Sequence, residues 1–305
     1  MELRNCMSLE KLPSKMRALR RLRIEYCPKI KGLTTQFAAL KELEIRDYEG
    51  VESLEQISIE SLESLSVYGC KNLGSLSQCL RALSNLTELY IEECPALEIE
   101  DFPALPITLS YFYLDNCPKI KSLPSQWHHL TSLQRLHIWD CQNIKCFRKG
   151  GLPPNLQILS IVGCENLKQP VTEWGLPNLT SLESLTIDGR SMGGEGEKEW
   201  FPSEEEDAWS LLFPSSLTSL DIYNMRNLER LSSGLPNHLS SLKQLGIYDC
   251  PKLRYLPEDG LPPSLQYLEI LGCKILKDGC SKLTGHYWPL IQEIPSIYIE
   301  DVRIQ

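Results

Sequence analysis

The sequence lacks the features that would place it in a membrane, on a secretory route or on a nucleic acid. No apolar run among its 305 residues approaches the roughly 18 residues that a membrane-spanning helix needs. The opening MELRNCMSLEKLP has neither the apolar core nor the small-residue cleavage site of a signal peptide. A net charge of −9 is unsuited to a phosphate backbone, which requires a basic surface. We therefore expect no membrane span and no nucleic-acid partner.

Motifs for catalysis, metal binding and nucleotide binding are also missing. No GxxxxGK(S/T) loop occurs, and its nearest counterpart, GGEGEKEWF at 193–201, is acidic and lacks the lysine–hydroxyl pair. There is no CxxC or HxxxH pair, and ligands from successive repeats would form a line where zinc requires a tetrahedron. The five histidines have no nucleophile or carboxylate partner that the sequence can predict. We predict a chain that is not an enzyme and holds no cofactor or metal.

A short repeated motif is what the sequence has in abundance. LRRLRIEYCPKIKGL (19–33) returns as LSYFYLDNCPKIKSLP (109–124), LQRLHIWDCQNIKCF (133–147) and LKQLGIYDCPKLRYLP (242–257). Alignment on the last apolar strand position gives twelve copies, at Leu3, Ile24, Ile45, Val67, Ile91, Leu114, Ile138, Ile161, Ile187, Ile222, Ile247 and Ile270. The intervals are 21–26 residues, apart from one of 35. A period of about 20–29 residues with LxxLxLxx(N/C) is typical of a leucine-rich repeat.

The motif predicts the fold. In LxxLxI the second leucine and the isoleucine are two residues apart, so they point to the same side of a short strand. Stacked in parallel, such strands share one continuous core. We predict an α/β solenoid, a leucine-rich-repeat horseshoe whose concave parallel sheet has about 12–13 short strands. Proline-rich return segments such as GLPPNL favour turns and short 3₁₀ or helical segments on the convex side.

The domain organisation follows from the same period. We expect residues 1–305 to form a single leucine-rich-repeat domain with an irregular acidic insertion at 189–216 and a closing segment at 274–305. Within the insertion, Trp200, Phe201 and Trp209 either pack against the solenoid or belong to a loop that projects toward a partner.

Nine of the twelve cysteines occupy one motif position, three residues after the strand isoleucine. They are Cys6, Cys27, Cys70, Cys94, Cys117, Cys141, Cys164, Cys250 and Cys273. We expect this cysteine slot to turn inward and hold buried, reduced thiols, although disulfides between neighbouring coils are geometrically possible. A row of reduced thiols in successive coils, which we call the thiol ladder, indicates a reducing, cytoplasmic compartment. Two N-x-T sequons, at Asn85 and Asn178, favour secretion instead.

The pattern LxxLxIxxCxxLxxLP resembles the C-terminal leucine-rich domain of plant intracellular nucleotide-binding leucine-rich-repeat (NLR) disease-resistance proteins of the coiled-coil class. FPSEEEDAWSLLFPSSLTSLDI (201–222) resembles an insertion of that family, and residues 273–301 resemble its closing sequence. The resemblance implies a cytoplasmic recognition module of innate immunity that senses a pathogen effector, directly or through a host protein. It also implies restraint of an ADP/ATP switch in a nucleotide-binding domain that, like the coiled coil, is absent from this chain.

Two other classes of protein stay open. A substrate-binding repeat domain of a ubiquitin-ligase adaptor, or another protein-interaction scaffold, would share the repeats but would carry an F-box-like helical segment upstream. The ectodomain of a membrane receptor would need a signal peptide, a spanning helix and oxidised caps.

The register also predicts which side chains are available to a partner. Outward strand positions cluster aromatic residues in three adjacent coils, and exposed aromatics anchor protein interfaces. We predict a protein-binding patch of Tyr90, Tyr111, Tyr113, His137 and Trp139, with an acidic rim of Glu92, Glu93, Asp115 and Asp140. The alternative is that tyrosine simply suits strands.

The first coils carry a different set of outward residues. Their cations are a candidate surface for an intramolecular contact with a switch domain, or a solvated charged face. These residues are Arg20, Arg21, Arg23, Lys41 and Arg46.

Overall fold

A computed structural model of the chain describes residues 1–30, 33, 35–50, 52–54, 59–124, 126–147, 151–205, 207–282, 284–300 and 302–305. They form two compact units, one of residues 1–153 and 164–167 and one of residues 154–163 and 168–305. Positions 206, 283 and 301, in the predicted insertion and closing segment, lie outside the described residues. The single domain over 1–305 stays a prediction.

The first unit contains seven strands in one parallel sheet, each paired with the next along the chain. They are β1 (Glu2–Arg4), β2 (Arg21–Glu25), β3 (Glu42–Arg46), β4 (Ser64–Tyr68), β5 (Glu88–Glu92), β6 (Tyr111–Asp115) and β7 (Arg135–Trp139). The register is that of the sequence alignment, with Leu114 opposite Ile91 on one side and Ile138 on the other. Equivalent motif positions are therefore in line across the sheet.

The second unit repeats this arrangement. It contains β8 (Ile158–Val162), β9 (Ser184–Asp188), β10 (Trp200–Phe201), β11 (Ser219–Tyr223), β12 (Arg230–Leu231), β13 (Gln244–Tyr248), β14 (Tyr267–Leu271), β15 (Ser296–Ile299) and β16 (Val302–Arg303). Six of these, β8, β9, β11, β13, β14 and β15, pair in parallel, and β16 adds an antiparallel edge. β10 and β12 form a separate two-stranded sheet.

The inward strand pair forms the core of each unit. Leu89 and Ile91 of β5 are fully buried, as are Leu245 and Ile247 of β13. Full burial of such a side chain contributes roughly 1.5–3 kcal/mol. The solenoid predicted from the repeat is confirmed, and its main sheets have seven strands in each unit where about 12–13 in all were expected.

The segments that return the chain to the next strand are short. Helices α1 (Ser77–Ala82), α2 (Ala208–Leu212), α3 (Leu235–His238), α4 (Lys274–Gly279) and α5 (Trp288–Ile291) have four to six residues. 3₁₀ turns span Trp127–His129, Val171–Glu173, Leu176–Asn178, Gly189–Ser191 and Glu195–Glu197. The predicted short convex segments are therefore confirmed. In the described part of the chain, no helix has the length and apolarity that crossing a membrane requires.

The cysteine slot points into the core, as predicted. All twelve cysteines are free thiols, and the slot residues are buried except for Cys6, which is half-exposed. The thiols donate to backbone carbonyls, such as Cys94 Sγ to Glu92 O at 3.3 Å and Cys117 Sγ to Asp115 O at 3.2 Å. A hydrogen bond with the Cys117 thiol, together with burial, raises the pKa of Cys94 to about 12. Such thiols stay protonated and act as packing groups.

The residue before the slot turns the chain inward from the strand. Its φ lies between 46° and 70° in Asn5, Tyr26, Asp47, Gly69, Glu93, Asn116, Asp140, Gly163, Asn224, Asp249 and Gly272. Glycine, asparagine and aspartate tolerate this left-handed region best, and they occupy it in nine of these eleven repeats. The sequence pattern I-x-(N/D/G)-C thus encodes the turn that buries the thiol.

The acidic insertion is part of the second unit and packs within it. The rings of Phe201 and Trp209 are buried 6.0 Å apart, and the indole N–H of Trp209 donates to the Ser232 carbonyl at 2.9 Å. Arg190, which replaces cysteine in this repeat, is paired with the buried Asp188 carboxylate at 2.8 Å. Phe201 and Trp209 are thus packed in the core and Trp200 is half-buried, while contact of the loop with a partner stays a prediction.

Candidate interaction surface

The outward strand positions place three side chains of each coil on the side opposite the core, which we call the open face. On β5, β6 and β7 the inward pair is buried and the alternate residues are partly exposed. The register puts Tyr90 opposite Tyr113, and Tyr113 opposite His137. Adjacent strands lie about 4.8 Å apart, so side chains at equivalent positions come into contact.

Five aromatic rings form one continuous cluster on this face. We call Tyr90, Tyr111, Tyr113, His137 and Trp139 the aromatic patch. Its ring centroids are 4.6 Å apart for Tyr90 and Tyr111 and 5.6 Å apart for Tyr113 and Trp139. His137 lies 5.6–6.0 Å from three of the other rings. The structure thus brings together all five aromatic residues predicted from the sequence, and their role in binding stays a prediction.

Burial keeps the patch neutral at its centre. It raises the pKa of Tyr90 to about 12, with a further contribution from the Glu88 charge. Burial likewise lowers the pKa of His137, helped by the nearby Arg135. The tyrosines therefore keep their hydroxyl protons and the imidazole is uncharged near pH 7. Tyr113 donates its hydroxyl to Asp115 at 3.3 Å, which fixes the ring at the centre of the cluster.

The acidic rim consists of two kinds of residue. Glu92 and Asp115 end strands β5 and β6 and are partly buried, and this burial raises the pKa of both carboxyls. Glu93 and Asp140 follow in the left-handed turn position and are exposed. Among the described residues, no lysine or arginine forms an ion pair with any of the four. The rim therefore presents carboxylates that no ion pair with a described residue neutralises.

Arg135 lies beside the aromatic patch, a contact that the sequence prediction did not include. Its guanidinium lies 4.7 Å from the centre of the Tyr111 ring. Arg46 lies in the same way over Tyr68, at 4.3 Å, one strand before the patch. The sequence did indicate that Arg135 and Tyr68 are available for such contacts, since both occupy outward strand positions. Contact between a cation and the neighbouring ring could not be deduced from register alone.

The cations of the first coils are mostly paired on their own surface. Arg21 contacts Glu42 at 2.9 Å, and Arg23 contacts Glu25 at 3.1 Å. Lys41 pairs with Glu63 and Arg46 with Glu44. Arg20 is exposed. These strands, β2 and β3, therefore form what we call the ion-paired surface, and the proposed intramolecular contact stays a prediction.

No group of three or more His, Cys, Asp or Glu side chains that could hold a metal ion occurs in the part of the chain that the structure describes. The open face of β4–β7 offers instead a row of aromatic rings, a residue type in which protein interfaces are enriched. With its repeated coils, it defines the class of the molecule as a leucine-rich-repeat protein.

Comparison with known proteins agrees with this class. The family model described as "R13L1/DRL21 LRRs" matches residues 32–94. A putative disease resistance protein of Arabidopsis thaliana, At3g14460, is 32% identical over 192 residues, which is 63% of this chain and 13% of the relative. Disease resistance protein RPS4B of the same plant is 32% identical over 214 residues, covering 69% of this chain and 16% of the relative.

A longer match has lower identity. Disease resistance protein RPP4 of Arabidopsis thaliana is 28% identical over 275 residues, 85% of this chain and 21% of the relative. The chain thus spans about 13–21% of the length of these relatives. Among solved structures, the leucine-rich repeat domain of the type III effector XopL aligns with 72% of this chain and 75% of its own at a TM-score of 0.43 and 20% identity. The matches to the family model and to the Arabidopsis proteins support a leucine-rich-repeat protein related to plant disease-resistance proteins.

Proposed function

We propose that this chain is the protein-recognition module of a plant innate immune receptor of the coiled-coil NLR class, from its C-terminal region. The open face senses a pathogen effector, either directly or through a host protein that the effector modifies. The observation that carries this proposal is the aromatic patch with its unpaired acidic rim. Partly buried yet accessible tyrosine and tryptophan rings are among the residues on which protein interfaces concentrate binding energy.

The module also restrains the receptor's nucleotide switch. ADP or ATP is bound outside this chain, in the nucleotide-binding domain that the proposed class contains. A ligand on the open face releases the switch only if it binds the released state more tightly than the restrained one. The ion-paired surface of β2 and β3 is the proposed intramolecular contact, because exchange of its internal ion pairs for pairs with another domain costs little.

A cytoplasmic location fits the thiol ladder. The slot thiols act as S–H donors to backbone carbonyls, as Cys94 and Cys117 do. This role requires the reduced form, and cytoplasmic glutathione and thioredoxin maintain that form. The proposal predicts that the protein loses stability under oxidising conditions.

Capture from plant tissue tests the recognition role. The chain serves as bait in extracts of infected and uninfected tissue, beside the variant Tyr111→Ala/Tyr113→Ala/Trp139→Ala. A matched control, Ile107→Ala/Leu211→Ala/Tyr255→Ala, removes three exposed apolar side chains elsewhere.

The captured protein is then purified and titrated onto all three chains. We expect the patch variant to bind at least roughly 30-fold more weakly, since the loss of a single hot-spot residue already costs about 2 kcal/mol or more. The control should bind like the wild type. Equal binding by the patch variant and the wild type would show that the aromatic patch is not the binding surface. Capture of ubiquitin-ligase subunits would favour the adaptor class.

A further inference from the structure

A second group of tyrosines and carboxylates lies on the open face of the second unit. The register puts Asp221, Gly246 and Glu269 side by side on β11, β13 and β14. Tyr223 stacks on Tyr248 with ring centroids 4.3 Å apart and planes at 14°. Together with Tyr267 these residues form what we call the tyrosine–carboxylate patch, defined as Asp221, Tyr223, Gly246, Tyr248, Tyr267 and Glu269.

Gly246 makes this close arrangement possible. A Cβ atom placed on it would lie 2.3 Å from the Asp221 Oδ1 atom and 2.4 Å from Cε2 of Tyr248. The Tyr248 ring and the Asp221 carboxylate therefore occupy the space above the glycine. A glycine in a strand interior costs stability, which is offset here because it lets a ring and a carboxylate approach the backbone.

The Glu269 carboxylate is held in place by two phenols. Tyr248 and Tyr267 both donate their hydroxyls to its Oε2 atom, at 2.8 and 3.1 Å. This leaves the orientation of Glu269 fixed, so that it loses little side-chain entropy when a ligand binds. The patch thus presents an ordered carboxylate on one side of the glycine and the Asp221 carboxylate on the other.

The negative charge of the patch has no partner among the described lysines and arginines. No arginine or lysine of the described residues pairs with Asp221 or Glu269, whereas the acids of β3 do have such partners. Burial, followed by the charge of Glu269, raises the pKa of Asp221 to about 6. Asp221 is therefore poorly solvated, and neither carboxylate has a lysine or arginine partner among the described residues, which makes the face complementary to a positively charged group.

We propose that the tyrosine–carboxylate patch binds an arginine side chain from a protein partner. A guanidinium group stacks on aromatic rings and forms paired hydrogen bonds with carboxylates, and it is more weakly hydrated than an ammonium group. The patch supplies both elements, the Tyr223–Tyr248 stack and the two carboxylates. The inference takes from the proposed function only the assumption that the partner is a protein.

A small probe tests this site without any protein partner. N-acetyl-L-arginine amide is titrated into the ¹⁵N-labelled full chain, beside N-acetyl-L-lysine amide and the neutral isostere N-acetyl-L-citrulline amide. The backbone N–H signal of Gly246 reports occupancy. We expect saturable shifts with a Kd on the order of 1 mM for the arginine probe, several-fold weaker binding for lysine and none for citrulline.

Isosteric variants assign the effect to the two carboxylates. Asp221→Asn and Glu269→Gln should each weaken arginine binding roughly tenfold, while Glu173→Gln, an exposed carboxylate outside the main sheet, should leave it unchanged. Equal shifts from arginine and citrulline, tighter binding of lysine, or unaltered binding by Asp221→Asn would overturn the proposal. Because no partner is present, failure of this titration is distinguishable from failure of the proposed recognition role.

Discussion

Two regions of the first unit occupy the same repeat positions and differ in the outward side chains they carry and in how the charge of those side chains is balanced. On β2 and β3, Arg21 and Arg23 pair with acids of the same surface. On β5–β7, rings occupy those positions and the neighbouring Glu92 and Asp115 form no ion pair with described residues. The first surface is electrostatically satisfied and the second is not, which is why we assign recognition to the second.

The comparison of these two regions assumes that their inward side chains form one core. Truncation of those side chains tests this and should give the largest change in the free energy of unfolding. Leu114→Ala on β6 and Ile45→Ala on β3 should each lower the free energy of unfolding by about 2–5 kcal/mol, because both side chains are fully buried. The adjacent outward changes Tyr113→Ala and Glu44→Ala should cost less than about 1.5 kcal/mol. Urea unfolding monitored by circular dichroism measures all four, and similar costs for Leu114 and Tyr113 would contradict the assigned strand faces.

A second prediction concerns Asp221, whose burial as a charged carboxylate lowers the stability of the folded protein. The pKa of Asp221 is raised to about 6, so the folded state binds its proton more tightly than the unfolded chain does. Its contribution to stability is therefore greatest at low pH and falls as pH rises from about 4 to 6. The groups around it are Glu269, Tyr223 and Tyr248, and neither tyrosine titrates in this range. We expect Asp221→Asn to stabilise the protein at pH 7.5 by on the order of 1 kcal/mol, after allowance for partial exposure.

Thermal unfolding of Asp221→Asn and wild type at pH 7.5 and at pH 4 measures this effect. The difference in Tm should be present at pH 7.5 and should shrink toward zero at pH 4. A variant that is less stable than wild type at pH 7.5 would mean that the carboxylate is satisfied within the chain, and the second unit would then resemble the ion-paired surface.

The smallest expected effect belongs to the ion-paired surface itself. Arg21→Ala should lower the free energy of unfolding by about 0.2–1 kcal/mol, because its ion pair with Glu42 is largely exposed. The loss should decrease further at ~1 M salt, where the Debye length is about 3 Å. Denaturant unfolding at two salt concentrations checks this, and a salt-independent loss above about 2 kcal/mol would show that these residues are not a solvated ion-paired surface.

Thiol accessibility sharpens the account of the core that both regions share. Ten cysteines are buried, Cys6 is half-exposed and Cys146 is exposed. A thiol reagent should therefore modify Cys146 and Cys6 first in the native protein, and all twelve cysteines after denaturation. Mass spectrometry gives both counts, and fewer than twelve reactive thiols in denaturant would indicate disulfides.

Much of the fold could be predicted because the repeat is local. Each LxxLxI copy specifies a strand and its buried face, and all twelve aligned positions, from Leu3 to Ile270, lie in strands. The motif did not predict the strands of the closing segment, where β15 and its antiparallel partner β16 extend the sheet of the second unit beyond the twelve aligned copies. The pairing of β10 with β12 was also beyond the motif, because it depends on how the irregular insertion packs.

For the candidate site, the sequence predicted which residues lie side by side but not the contacts of their side chains. Register alone brought five aromatic residues to adjacent outward positions, and the structure places their rings in contact. It could not show that Arg135 lies over Tyr111, or that Gly246 makes room for Tyr248 and Asp221, because side-chain rotamers decide these contacts. The expectation that the cysteine slot turns inward did not include the left-handed φ of the residue before it, which Glu93 and Asp140 adopt directly after their strands.

Hydroxyl-radical footprinting of the chain with its captured protein partner tests the central claim most directly. Tyr90, Tyr111, Tyr113 and Trp139 should each be oxidised several-fold more slowly in the complex than in the free chain, while the exposed Tyr26 and Tyr255 should react at unchanged rates. Unchanged oxidation of the four patch rings, with protection elsewhere, would contradict the assignment of the aromatic patch as the recognition surface.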